Sequence, residues 1–285
     1  MILALSGTTG FIGQALIKKI RERGWTLRVI DRDSFLMTDE KFLSEKIEGA
    51  DAVINLAGAP VARKWTPENK KEILDSRVNT TLKISNAINQ SRQKPSVFIS
   101  TSAIGIYDSL KTHNETSCSY ADSFLAKVCI AWEREATNAE PSTRVVIFRI
   151  GLVLGSDGGA LAKMHKPFSI GLGAKIGNGK QPVSFIHIDD LINAMIFTLD
   201  TPSIIGIVNA VSPFPSNNAE FSDKLGKVLG QPVWLTIPAF AMKLIYSEGA
   251  QVLLEGQKVL PEKLLDAGFR FKYPTIQNAL VRIYG

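Results

Sequence analysis

ILALSGTTGFIGQAL, residues 2–16, decides the fold. Four apolar residues, Ile2 to Leu5, lead at once into Gly7, Gly10 and Gly13, and then into a run in which Ile12, Leu16 and Ile20 recur four apart. A short apolar run followed by helical recurrence is a strand feeding a helix, with Gly24 as the expected C-cap. Glycine is needed between the two where the backbone takes positive φ or closely approaches another segment. The amides of such a turn, at a helix N-terminus, can hold a pyrophosphate. The spacing G-x-x-G-x-x-G would also serve a plain tight turn. Asp31 points further, because it lies eighteen residues past Gly13 at the end of a second apolar run, LRVI (Leu27 to Ile30). An acidic side chain there binds the ribose hydroxyls of NAD. On this reading Gly7, Thr9, Gly10, Phe11, Ile12 and Gly13 line a dinucleotide. Arg32 points the other way, since a guanidinium pairs with the 2′-phosphate of NADP and Asp31 repels it.

Beyond the loop, AVINLA (Ala52 to Ala57), VFIS (Val97 to Ser100) and RVVIF (Arg144 to Phe148) alternate with helical stretches, one opened by Thr66-Pro67 and one from Phe124 to Thr137. This alternation predicts βαβ crossovers, hence a doubly wound Rossmann-type α/β fold with a parallel sheet covered on both faces. After Gly155 the pattern loosens into glycine- and proline-punctuated elements. The expected division is a dinucleotide-binding domain over 1–155 and a smaller substrate lobe over 156–285, with a strand and helix around 183–210 returning to the first.

With 45% hydrophobic residues in 285, the chain can bury a sizeable core. No run of eighteen apolar residues occurs, so no membrane partner is expected, and the strand starting at Ile2 leaves no room for a leader, which predicts a cytoplasmic protein. Cys118 and Cys129 lack metal-ligand spacing and read as small apolar residues rather than a metal site or a disulfide. The net charge of +6 suits an anionic ligand or a solvated surface, and its scattered positions without a nucleic-acid motif favour the latter. Oligomeric state is not readable.

INLAG (Ile54 to Gly58), KWTPENKKEILDSRVNTT (Lys64 to Thr81), FLAKVCIAWE (Phe124 to Glu133), RIGLVLGSDGGAL (Arg149 to Leu161), FIHIDDL (Phe185 to Leu191) and EGQKVLPEKLLDAGFRF (Glu255 to Phe271) carry a resemblance over nearly the whole chain. They resemble the atypical extended short-chain dehydrogenase/reductases, the nucleoside-diphosphate-sugar epimerase-like branch also labelled SulA-like or YfcH-like. The resemblance implies a bound nicotinamide dinucleotide, NADP(H) more often than NAD(H). It also implies that Leu56, Ala57 and Gly58, after the superfamily's fourth strand, pass beneath the adenosine. Arg32 stands at the branch's usual arginine, whereas Asp31 departs from the small residue common there. Arg77 and Asn79 match a helix segment near the cofactor.

The superfamily works with a Tyr-x-x-x-Lys pair, in which lysine lowers the phenol's pKa from about 10. Here the stretch is SFLAK, so Ser123 occupies the tyrosine's place before Lys127, and an aliphatic hydroxyl is much less acidic. The superfamily's third partner, a hydroxyl after the fifth strand, falls in STSAIGIY (Ser100 to Tyr107). Register from Tyr107 puts it on Ala103 and leaves Ser102 one residue out. Ser102, Ser123 and Lys127 are therefore the catalytic candidates. Tyr107, Tyr120 and His187 are candidates for lining a substrate cleft, and Asp189 is expected to cap a helix. Two readings follow: an NADP(H)-dependent oxidoreductase or epimerase acting on a small carbonyl or sugar-like molecule, or a dinucleotide-binding regulator without hydride chemistry.

Overall fold

The structure, a computed structural model, describes residues 1–36, 41–139 and 143–285. Strand β1 (Ile2–Ser6) runs into helix α1 (Phe11–Glu22), whose end is closed by Gly24 at φ 65° donating to Arg21 O. Then come β2 (Thr26–Ile30), two short helices α2 (Asp33–Leu36) and α3 (Lys41–Ile47), and β3 (Ala52–Asn55). Helix α4 (Pro67–Gln90) starts as its sequence predicts, with Thr66 accepting from Asn69 N and proline in the first turn. After it follow β4 (Val97–Ala103), a short β5 (Thr112–His113), α5 (Phe124–Thr137) and β6 (Arg144–Ile150).

The remainder begins with β7 (Leu152–Leu154), α6 (Gly159–Ser169), β8 (Ala174–Ile176), β9 (Pro182–Val183) and β10 (Phe185–His187). Helix α7 (Ile188–Asp200) leads to β11 (Gly206–Ala210), β12 (Ser216–Asn217), α8 (Asn218–Val228), β13 (Leu235–Ile237) and α9 (Ala239–Tyr246). The chain ends with α10 (Gln251–Leu254), β14 (Lys258–Val259), α11 (Glu262–Asp266) and α12 (Ile276–Tyr284).

Six strands make one parallel sheet in the order β11-β6-β4-β3-β1-β2. One face packs Leu3, Leu5, Ile99 and Phe148 against Leu16 of α1 and Met195 of α7. The other packs Ala4, Val53, Phe98 and Ile147 against Ile84 of α4 and Ala136 of α5. Both faces are covered, which is why these strands read as continuous apolar runs. A separate cluster, with Leu161, Phe168, Phe221 and Leu280, holds α6, α8 and α12 together.

The superfamily count makes Ala52–Asn55 a fourth strand and Val97–Ala103 a fifth. Here they are third and fourth among the described residues, because the chain after β2 forms α2 and α3. The sheet order reverses between β1 and β3, which flank one another, so the loops at their carboxyl ends diverge and leave a crevice. Among the described residues no helix is long and apolar enough to cross a membrane, and no cluster of metal-ligating side chains occurs.

Candidate functional site

The crevice is built on close backbone packing. Gly7 leaves β1 at φ 72°, and a Cβ on it would lie 2.6 Å from Leu56 C and 2.9 Å from Ala57 N. Gly13 sits under Gly7, where a Cβ would stand 2.2 Å from the Gly7 carbonyl oxygen. Gly10 N donates to Gly7 O and Gln14 N to Gly10 O, so the turn closes directly into α1. The amides of the first helical turn lack intrahelical acceptors and carry the positive end of the helix dipole. They border a cavity of about 330 Å³ lined by Gly10, Ile12, Leu56, Gly151 and Val153.

Asn55 fixes the second wall. Its Oδ1 accepts from Ser6 Oγ (2.6 Å) and Ala57 N (3.1 Å), and its Nδ2 donates to Thr81 Oγ1 of α4 (2.8 Å). Gly58 lies on the Arg77 guanidinium, 3.0 Å from where its Cβ would be. Arg77 donates to Ile73 O and stacks over Trp132 at 5.3 Å, and burial holds its pKa below the ordinary arginine value. Asn79 faces solvent on α4.

Phe11 follows Gly10, and its ring rests in a seat of glycines: Cβ atoms on Gly155, Gly158 and Gly159 would be 2.6, 2.8 and 3.5 Å from it. Phe11 also borders a groove of about 800 Å³ between α1 and α7. Thr9 lines that groove.

At the end of β2, Asp31 Oδ1 accepts from Ser34 N (2.9 Å) and Ser34 Oγ (2.7 Å), which lowers its pKa and caps α2. This accounts for an acid in place of a small residue. Arg32 is exposed beside it, with no ion pair among the described residues.

The three catalytic candidates are not joined. Ser123 is the N-cap of α5, its Oγ accepting from Ala126 N at 3.2 Å. Lys127 is 71% exposed and pairs with Asp122 at 2.8 Å. Ser102 is buried in β4 and donates to Glu133 Oε1 of α5 at 2.6 Å. Among the described residues no hydrogen bond links Ser102 to Ser123 or Lys127.

Glu133 is instead the anchor of a buried polar cluster. It receives Arg149 Nε (2.9 Å) and Nη2 (2.7 Å), a two-point clamp on a guanidinium that is 1% exposed. Burial alone would lower the Arg149 pKa, but the Glu133 carboxylate outweighs it and raises it. The guanidinium lies over Tyr107 (4.9 Å) and Tyr120 (5.4 Å), and Nη2 donates to Tyr120 OH at 3.3 Å. Tyr107 is fully buried, its hydroxyl donating to Asn209 Oδ1 (3.0 Å), and burial pushes its pKa up. Strand register sets Ser102, Arg149 and Asn209 side by side across β4, β6 and β11. Of the two tyrosines only Tyr120 reaches the surface.

His187 and the two following acids have structural partners. His187 Nδ1, not Asp189, caps α7 by accepting from Asp189 N at 3.1 Å, because the side chain one residue before the helix is the one that can turn back onto it. The buried His187 ring packs on Tyr273 (4.2 Å), and desolvation lowers its pKa to about 4 against the opposing Asp189 carboxylate. Asp190 accepts from Lys272 N (2.9 Å) and Tyr273 N (2.8 Å), tying the C-terminal segment to the first turn of α7. Cys129 is buried in α5, whereas Cys118, expected as an apolar filler, is exposed.

Sequence reasoning passed over Asn55, Glu133, Arg149 and Asn209. A signal was present for two of them: Arg149 and Glu133 interrupt apolar runs destined for burial, and a buried charge needs an opposite partner.

A family model for the NAD dependent epimerase/dehydratase family matches residues 3–210, and one for a domain of unknown function (DUF1731) matches residues 237–283. The chain is 40% identical over 298 aligned positions to the chloroplastic SDR39U1 homolog of Arabidopsis thaliana, an epimerase family protein, covering 98% of this chain and 86% of that one. It is 35% identical to the epimerase family protein SSP1921 of Staphylococcus saprophyticus, covering 97% of each. Human SDR39U1, crystallised with NADPH, superposes with a TM-score of 0.92 at 32% identity, covering 100% of this chain and 99% of that one.

Proposed function

The chain belongs to the NAD dependent epimerase/dehydratase family, and from that premise we propose that it binds NADP(H) as an oxidoreductase or epimerase acting on a small carbonyl or nucleotide-sugar-like substrate. One observation carries the reading: Gly13 under Gly7 and Gly7 against Leu56 leave room for backbone only, so first-turn amides open onto the crevice unobstructed. The residues fit a dinucleotide. Amides of Phe11, Ile12 and Gly13 would hold the diphosphate, and Leu56 to Gly58 would lie beneath the adenosine. Arg32, exposed and unpaired among the described residues, would meet a 2′-phosphate, while Asp31 is occupied by Ser34. NADPH in the human relative supports the same choice.

When bound, the nicotinamide supplies or accepts hydride at C4. Of the chain's own groups, Lys127 is in an exposed ion pair, a contact worth no more than ~1 kcal/mol, and is free to turn to a ribose. Ser123 stands where the superfamily has its tyrosine and spends its oxygen on the helix cap. The proton then passes through Ser102, bound water or Tyr120. In this reading residues 1–155 with 183–210 form the cofactor half, and the rest of the chain forms the substrate lobe.

The separation of Ser102 from Lys127 favours a second reading, a dinucleotide-binding regulator. Mass spectrometry of natively purified protein for a copurified dinucleotide, followed by a nicotinamide-band absorbance assay over a carbonyl panel, separates the two. Turnover lost in Lys127→Ala supports the enzyme. Tight NADPH binding without turnover supports the regulator, and no dinucleotide binding overturns both.

A further inference from the structure

Two long stretches of the chain, residues 158–188 and 224–247, contain neither aspartate nor glutamate. They hold seven of the 33 lysines and arginines, which leaves 26 cations against 27 carboxylates, a net −1, in the rest of the chain. The whole +6 excess therefore resides in these two stretches. The fold brings them together. Strands β8 and β13 pair in register, Ala174 with Leu235 and Lys175 with Thr236, and Gly171 lies against the Gln231 side chain.

Lys224 and Lys227 are neutralised by Glu220 and Asp223. Lys163, Lys166, Lys175, Lys180 and Lys243 have no carboxylate partner among the described residues. The same stretches expose large apolar side chains. Trp234 is 81% exposed and Leu244 82%, with Phe240, Leu235, Ile170 and Leu172 also open to solvent. Phe240 and Leu244 stand four apart on α9, while Met242 of that helix is buried.

We propose that this face, built from β13, α9 and the loop before β8, docks onto an anionic lipid bilayer surface. An aromatic and aliphatic face that carries the unpaired Lys175 and Lys243 and has no carboxylate within β8, β13 or α9 has the composition of an interfacial membrane contact, with apolar groups entering the headgroup boundary and lysine stems reaching to anionic headgroups. A second copy of the chain fits poorly, because a two-fold contact would set the uncompensated Lys175 and Lys243 against the same two lysines of the other copy. The contact is peripheral and needs no membrane-crossing helix.

The test is cosedimentation of the full chain with vesicles of phosphatidylcholine alone and with about a third phosphatidylserine. Trp234 supplies a second readout, since Trp65 and Trp132 are buried and Trp25 is partly covered. Binding confined to the anionic vesicles, weakened by salt and accompanied by a blue shift that Trp234→Phe abolishes, is expected. Lys175→Gln with Lys243→Gln lowers the partition coefficient about thirty-fold, and Phe240→Ser with Leu244→Ser by at least about ten-fold. Phe240, Lys243 and Leu244 are exposed and Lys175 is part-exposed with no ion pair among the described residues, so NADPH affinity and melting temperature stay at the parental values. No partition at low salt overturns the proposal. So does a blue shift produced by soluble polyglutamate but not by vesicles, which marks an acidic protein partner, or one produced by self-association without lipid.

Discussion

Gly13→Ala adds one methyl group where the turn has none to spare. Its Cβ would stand 2.2 Å from Gly7 O and 3.0 Å from both Gly7 C and Thr8 Cα, against an ordinary carbon–oxygen contact of about 3.3 Å. The start of α1 must therefore retreat by about 1 Å. Overpacking of this kind costs ~1–3 kcal/mol of stability. The same retreat takes amide–phosphate hydrogen bonds of about 2.9 Å close to 4 Å, where they no longer count. Two such bonds to a charged acceptor are worth ~3–6 kcal/mol, so the Kd for NADPH rises by at least about a hundredfold. Gly24→Ala is the control. Its φ of 65° makes alanine cost ~1–2 kcal/mol in stability, but nothing lies within 4 Å of the new Cβ and Gly24 is a full helix away from the turn. Calorimetric titration with NADPH beside thermal melts separates the two effects. A folded Gly13→Ala variant whose Kd stays within about threefold of the parent would refute the assignment of the first-turn amides to a diphosphate.

Arg32→Ala weakens NADPH about ten- to a hundredfold and leaves NADH affinity unchanged, because only the 2′-phosphate needs the guanidinium; parallel titrations with both reduced dinucleotides check it. Glu133→Ala strips a buried Arg149 of its counter-charge and lowers stability by ~3–5 kcal/mol in urea unfolding, whereas Arg149→Ala combined with it recovers part of the loss. His187→Asn keeps a cap for α7 and removes the titration. The buried ring's pKa lies near 4 against 6.5 in the unfolded chain, so its contribution is complete above about pH 6.5 and is lost as pH falls toward 4. Urea midpoints across that window should show the parent losing ~3 kcal/mol relative to the variant.

The sheet was legible because each strand is covered on both faces and so reads as an unbroken apolar run, and because Thr66-Pro67 and Gly24 mark helix ends chemically. The strand count was not legible, since nothing in residues 33–36 or 41–47 announces the two short helices that the described residues form there. Ser123 shows a different limit: a serine before an apolar helical run is a cap by local chemistry, yet family register invited a catalytic reading of the same residue. Ser102 was singled out as a catalytic hydroxyl, and the structure places it buried in β4 with its hydroxyl donating to Glu133. Its partner Glu133 lies 31 residues on, and such a pairing exists only once β4 and α5 have packed. The juxtaposition behind the proposed docking face was likewise out of reach, because the two stretches of sequence without carboxylates meet only through the β8–β13 pairing.

The glycine seat around Phe11 links two segments about 145 residues apart, the first turn of α1 and the strand-to-helix link that opens α6. Phe11 is bonded directly to Gly10, so the glycine seat and the first-turn amides are joined through a single residue. Phe11 also lines both the crevice and the α1–α7 groove. A change at this one ring therefore reaches both hollows: shaving it to alanine would empty the seat and enlarge the crevice and the groove together.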